Sequence, residues 1–224
     1  MCGKFTQMMS WGTYVSLADV LRGTNVSAVD RSEVVSPMRE SFVVRLGRDG
    51  ARETARMRWG LVPWSAKDPG VGTRFIHARA ETIETTKAYA EAFQRRRGLV
   101  IVSEFFESRH VTATKREPHR IWVDDGKSVA LACIWERWRQ PHDAPLETFA
   151  IVTVAANALI APVHDRMPAL VAEADWPKWL GEAPASVEEL KALLRPCEAP
   201  MNIEPVSARK PAAPPPRPVQ PDLF

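Results

Sequence analysis

The sequence predicts an α+β domain in which strands outnumber helices, and three observations carry that reading. Strand-like stretches flank Asp49-Gly50 and again Asp125-Gly126, dipeptides that favour tight hairpins. The runs "GLVIV" from Gly98 and "TFAIVTV" from Thr148 are short and apolar enough to be central strands. Interspersed segments have helical spacing with identifiable ends.

Taken in chain order, Ser10 caps a predicted short helix through about Arg22, with Trp11, Val15 and Ala18 sharing one face. "SFVVRLGRDGARETARMRWG", from Ser41, reads as two strands joined at Asp49-Gly50. "TTKAYAEAFQRRRG", from Thr85, reads as a helix with Tyr89, Ala92 and Phe93 facing inward and Gly98 closing its end. Its Arg95-Arg96-Arg97 run would complement the helix dipole as well as attract phosphate, and the dipole reading is preferred. "RIWVDDGKSVALACIW", from Arg120, predicts a second hairpin around Asp125-Gly126. In "SVEELKALL", Ser186 and Glu189 form a capping-box pattern, which predicts the last helix of the domain.

Composition changes after that helix. "ARKPAAPPPRPVQPDLF" has too many prolines for helix or sheet and too few apolar residues to pack, so it predicts an extended tail. The expected division is therefore a domain over 1–207 and a proline-rich, disordered tail over 208–224.

Composition also bounds the function. With 45% hydrophobic and 25% charged residues, the 224-residue chain matches a globular protein. No apolar run is long enough for a transmembrane helix, and the amino terminus lacks a signal-peptide layout, so a cytoplasmic location and no membrane partner are expected. Cys2, Cys133 and Cys197 form no CxxC pair, and His110, His119 and His142 have no metal-like spacing, so neither a disulfide framework nor a metal or other cofactor is expected. A net charge of +3 tolerates a polyanionic partner without demanding one.

The amino terminus carries the chemistry. Methionine aminopeptidase removes an initiator that precedes a small side chain, so a mature chain would begin at Cys2 with a free 1,2-aminothiol. An α-amine titrates at about 7.7 to 8.0 and a thiol at about 8.5, so both nucleophiles are partly available near neutral pH. An aldehyde can form a Schiff base with the amine and then a five-membered thiazolidine with the thiol. The plain alternative is a cysteine placed second by accident.

The chain resembles the SRAP family, the SOS response-associated peptidases or abasic-site processing proteins. The resemblance rests on "MCGKF" at the start, "MRWGLVPW" from Met57, "HARAETI" from His77, "EFFE" from Glu104, "IWERW" from Ile134 and "TVAANALIAPVHDRMPALV" from Thr153, in the family's order and spacing. It implies an α+β fold with a mixed, mostly antiparallel β-barrel-like core and peripheral helices. It further implies a monomer that senses abasic sites in single-stranded DNA, joins its terminal cysteine to them as a thiazolidine crosslink and shields the lesion in the SOS response. Weak lyase and autoproteolytic activity could accompany this, with localisation at the nucleoid through DNA. A non-catalytic module for single-stranded DNA and the clamp, and a thiol peptidase with an amino-terminal nucleophile, are the alternative readings.

By the same resemblance, Cys2 is the nucleophile, Glu107 handles protons and His164 assists Schiff-base chemistry. His77 stands where most members have asparagine; imidazole can replace the amide's hydrogen bonds while adding a titratable group. Lys4, Trp64, Arg79 and Arg166 fall at DNA-contact positions. For Trp64, core packing is the alternative, and for Arg79 an ion pair with Glu81. Departures at Lys4 (usually arginine), Val34, Trp64 and Ser108 (usually tryptophan) mark a diverged branch. The last residues resemble clamp-docking peptides: Gln220 would supply a polar anchor, and Leu223 and Phe224 would fill an apolar pocket of the replication sliding clamp.

Overall fold

A computed structural model describes residues 2–8, 32–112, 114–123, 128–139 and 144–206. The predicted helix from Ser10, the Asp125-Gly126 turn and the tail with Gln220, Leu223 and Phe224 lie outside the described residues. The strands are β1 (Lys4–Met8), β2 (Ser32–Val35), β3 (Glu40–Leu46), β4 (Arg52–Trp59), β5 (His77–Arg79), β6 (Arg97–Val102), β7 (Glu104–His110), β8 (Arg116–Val123), β9 (Val129–Trp138), β10 (Leu146–Ala155), β11 (Arg166–Pro168) and β12 (Met201–Pro205). Among the described residues, three short α-helices accompany them: α1 (Ala90–Arg95), α2 (Trp176–Leu180) and α3 (Val187–Leu193).

Strand β10 organises the larger sheet. Its residues Phe149 to Val154 are all buried, as befits a strand covered on both faces. Along one edge it pairs antiparallel with β9, from Leu146↔Trp138 to Ile151↔Cys133, and then with β11. Along the other it runs parallel to β4 at Phe149↔Trp59 and then to β5 at Ile151↔His77. Because β4 pairs β3, β3 pairs β6, and β6 pairs β9, the path β10-β4-β3-β6-β9 returns to β10. The ring closes as a barrel, which removes open edges from these five strands. The expected mixed, barrel-like α+β core is the observed one.

The smaller sheet, in the order β12-β8-β7-β1-β2, is antiparallel throughout. Phe5 on β1 joins it to the barrel by packing 5.1 Å from Trp59, which stacks on Phe149 at 6.3 Å. All three rings are fully buried. Burial of such side chains contributes about 1.5 to 3 kcal/mol each, so the amino-terminal strand is fastened where the two sheets meet.

The first hairpin forms as expected, with Gly50 at φ 78° in its turn. The second does not. Strands β8 and β9 flank Asp125-Gly126 but belong to different sheets, so the chain crosses between layers there. Their burial explains the split: β8 alternates around His119 and Ile121, whereas β9 is buried almost continuously as barrel wall.

The middle helix is shorter than the spacing predicts. Tyr89, Ala92 and Phe93 do face inward, but α1 starts only at Ala90 because the Thr82 carbonyl collects the amides and hydroxyls of Thr85 and Thr86 in turns. Gly98 is not its cap; it lies inside β6, where an added Cβ would come 2.7 Å from Val43 Cγ1 and 3.0 Å from the Val44 carbonyl oxygen. Arg97 closes the helix instead, donating to the carbonyl oxygens of Phe93 at 2.8 Å and Gln94 at 2.6 Å. The predicted capping box of Ser186 and Glu189 opens α3.

Candidate active site

The site forms where the start of β1 meets β7 and β5, the short strand paired to the barrel strand β10. Cys2 is fully buried, and its thiol lies 3.4 Å from the Lys4 carbonyl oxygen. The Gly3 amide donates to the Phe106 carbonyl at 3.2 Å, continuing the β1–β7 ladder to the chain's first residues. Burial, reinforced by the Glu107 carboxylate, pushes the Cys2 thiol well above its ordinary range. Its sulfur is therefore held as a thiol until a base receives the proton.

Alternation along β7 buries Phe105 and Glu107 and leaves Phe106 and Ser108 on the opposite face. A carboxyl in that buried row is poorly solvated. Burial pushes it up to about 7, Asp165 adds to the rise, and the positive amino terminus of the chain acts the other way. Glu107 thus has a proton to give and to take near neutral pH, as acid–base work requires. Phe105, fully buried, shares the face of Glu107.

His77 sits on β5, bound to the barrel through Ile151. Its Nε2 is 2.9 Å from the Cys2 carbonyl oxygen, which only accepts, so Nε2 carries the proton. The Tyr89 hydroxyl fixes the backbone by donating to the His77 carbonyl at 2.9 Å, and Trp59 packs edge-on against the ring at 5.9 Å. Burial lowers the imidazole to about 4, with the bond to Cys2 working against that fall. At neutral pH, His77 is accordingly an uncharged donor, functionally close to an amide. The titratable role expected of it is suppressed by its surroundings.

His164 precedes β11. Its Nδ1 lies 3.0 Å from the Arg166 amide and 2.8 Å from Asp165 Oδ1, contacts that favour opposite proton placements. Asp165 is exposed and well served by water, whereas burial lowers the imidazole and favours its neutral form. We therefore assign Nδ1 as acceptor from Arg166, which leaves the proton on Nε2.

The DNA-contact candidates divide into two groups. Lys4 and Arg79 are exposed, as is Trp64 at 64%, so Trp64 does not pack in the core. Arg166 is largely covered: its guanidinium grips Glu81 at 2.6 and 2.9 Å and donates to the Thr153 carbonyl at 2.6 Å. Glu81, the suggested partner of Arg79, is thus engaged by Arg166, whose hydrogen bond is the main cause holding its carboxyl low. Arg166 ties the loop after β5 to β10 and β11, and so supports β5, which bears His77, and the segment before β11 that bears His164.

One buried histidine was not singled out by the sequence. His119 on β8 stands directly opposite Glu107 on β7, with its Nδ1 3.0 Å from the Glu117 carbonyl oxygen. The alternation of β8 could have placed it inward, but only strand register pairs it with Glu107. Among the described residues, no group of three or more His, Cys, Asp or Glu side chains could hold a metal, and no helix is long and apolar enough to cross a membrane.

Comparison with known proteins converges on one family. The SOS response associated peptidase (SRAP) family matches residues 1–210. The abasic site processing protein YoqW of Bacillus subtilis is 28% identical over 200 residues, covering 89% of this chain and 88% of its own. The abasic site processing protein YedK of Escherichia coli is 26% identical over 185 residues, covering 80% and 79% respectively. A crystal structure of a Bacteroides thetaiotaomicron protein superposes with a TM-score of 0.78 at 24% identity, covering 92% of this chain and 93% of that one, and shares the fold.

Proposed function

The chain belongs to the SOS response associated peptidase (SRAP) family, and we propose that it captures abasic sites in single-stranded DNA as a covalent thiazolidine on Cys2 once Met1 has been removed. The observation that carries this reading is the placement of Glu107, a buried carboxyl poised near neutrality, within electrostatic reach of the Cys2 thiol. Related proteins named for abasic site processing support the same substrate.

In this mechanism the Cys2 α-amine adds to the aldehyde carbon of the ring-opened sugar. Glu107, protonated, donates to the carbinolamine hydroxyl, which leaves as water and gives the protonated imine. The resulting carboxylate takes the thiol proton, and the thiolate sulfur bonds to the same carbon while the C=N electron pair returns to nitrogen, closing the neutral five-membered ring with Glu107 protonated again. Atoms balance, and nothing is oxidised or reduced. His77 holds the Cys2 carbonyl, and so the attacking amine, in position. His164 offers its Nε2 proton to the sugar oxygen. Lyase activity would arise when the imine is diverted to β-elimination before sulfur closes on it. Lys4, Trp64 and Arg79 contact the strand, and the terminal Gln220, Leu223 and Phe224 dock on a sliding clamp.

A uracil-containing oligonucleotide treated with uracil glycosylase, incubated with the protein and run on a denaturing gel, tests the reading. Wild type should give a shifted band that Cys2→Ala lacks. Absence of that band, or mass spectrometry showing Met1 retained on the purified chain, would sink it.

A further inference from the structure

The face of β7 opposite Glu107, with the strands beside it, carries exposed basic residues of which the mechanism uses only Lys4. Pairing places Lys4 opposite Phe106, Pro118 opposite Ser108 and Arg116 opposite His110. By alternation, Phe106, Ser108 and His110 lie on one face, with Lys4 and Arg116 beside them. Lys4, His110, Lys115 and Arg116 are all exposed.

The ion pairs of this sheet leave Lys4, Lys115 and Arg116 uncommitted. Arg109 is paired with Glu117 at 2.7 Å, and Arg120 bridges Glu104 and Glu204. Lys4, Lys115 and Arg116 have no acidic partner among the described residues. His110 also acts electrostatically on His164, so the outer end of β7 comes back towards the catalytic groups. From Glu107 to His110 the strand rises about 10 Å, a span of about three stacked nucleotides.

We infer that the β7–β8 hairpin tip, through His110, Lys115 and Arg116, binds the phosphodiester backbone flanking the abasic site on one side. This rests on the proposed substrate. The occupant is a polyanionic strand rather than an acidic protein surface because Lys115 and Arg116 are exposed, without an acidic partner among the described residues, and meet His110 at one end of the hairpin, on which the half-buried Phe106 shares the face of His110.

The test uses single-stranded oligonucleotides bearing a tetrahydrofuran abasic analogue, which has no aldehyde and so separates binding from crosslinking. Flanks are lengthened one nucleotide at a time on either side, and affinity is read by anisotropy across a salt series. Wild type should gain affinity from added nucleotides on one side. Lys115→Ala/Arg116→Ala should lose that gain, bind several-fold more weakly, and show a salt slope shallower by about 0.7 per lost phosphate contact. Arg48→Ala, at the far end of the β3–β4 ladder from Trp59, removes one charge against the double variant's two and should leave the flank effect in place.

An unchanged slope and flank dependence in the double variant overturns the inference, as does a loss of the same size per charge removed in Arg48→Ala, which would indicate net charge alone. Crosslinking of the aldehyde-bearing oligonucleotide by wild type, run in parallel, keeps the two readings apart. A crosslink with no hairpin effect overturns only the hairpin, whereas no crosslink overturns the function. Circular dichroism of the double variant verifies its fold.

Discussion

His77 Nε2 lies 2.9 Å from the carbonyl oxygen of Cys2, so a strand paired to the barrel holds the first described residue of the chain through one neutral imidazole. Because the buried ring resists protonation, its titration falls from the usual 6.5 to about 4. A depressed base favours the folded state above its unfolded value, and that stability is lost as pH falls from about 6.5 towards about 4. His77→Asn keeps a donor and cannot titrate. Urea melts at pH 7.5 and pH 4.5 should therefore show a smaller acid loss in the variant, the difference approaching 3 kcal/mol on the order of the full shift. An equal acid loss in both proteins refutes the assignment.

Glu107 has the opposite sign. Its carboxyl rises from 4.5 to about 7, so ionisation is disfavoured in the folded state. The stability of the protonated form is complete below about 4.5 and is lost as pH rises through about 7. Glu107→Gln should be more stable than wild type at pH 8, by on the order of 2 to 3 kcal/mol, and nearly equal to it at pH 4. Crosslinking should fall in the same variant by about 10²-fold or more, since acid–base groups typically contribute that much. Melts and band-shift rates measured on one preparation check both directions together.

Local pattern made part of this legible in the sequence. The Asp49-Gly50 hairpin, the Ser186 capping box, the central strands and the inward face of α1 follow from neighbouring residues, and the structure has them. What failed was non-local. No dipeptide at Asp125-Gly126 shows that β8 and β9 serve different sheets, and Gly98 reads as a helix cap until the strand passing 2.7 Å away is known. The site divides the same way. Cys2, Glu107, His77 and His164 were recognisable by motif, and the structure brings them together at the junction of the sheets. The silencing of His77, the commitment of Arg166 to Glu81 and the pairing of His119 with Glu107 depend on burial and register.

Trp64 provides a test in which stability and binding separate. Its indole is 64% exposed, whereas its neighbours Leu61 and Val62 are fully buried, with the Val62 amide donating to Thr148 Oγ1 at 2.9 Å. A large ring on a pinned loop suits base stacking. Trp64→Ala should weaken binding of a single-stranded oligonucleotide by about 1 to 3 kcal/mol and leave the melting temperature essentially unchanged. A fall in melting temperature with no change in affinity would instead make the residue structural.

Gly98 tests barrel closure itself. Strands β3 and β6 meet at Val44↔Leu99, and Gly98 faces Cys133 across β6 and β9. A Cβ there would lie 2.7 Å from Val43 Cγ1, 3.0 Å from the Val44 carbonyl oxygen and 3.1 Å from Cys133 Sγ. A side chain can rotate away, but the carbonyl belongs to the wall of the closed ring, so room can come only from β3 moving outward. Overpacking of this kind costs about 1 to 3 kcal/mol, and Gly98→Ala should lower stability by that amount in urea melts. Adding Val43→Ala removes one obstacle and should recover part of the loss, beyond what the two single variants predict by addition. Strict additivity would mean that Gly98 and Val43 do not share the contact, and that the barrel is not closed between β3 and β6 in the way described.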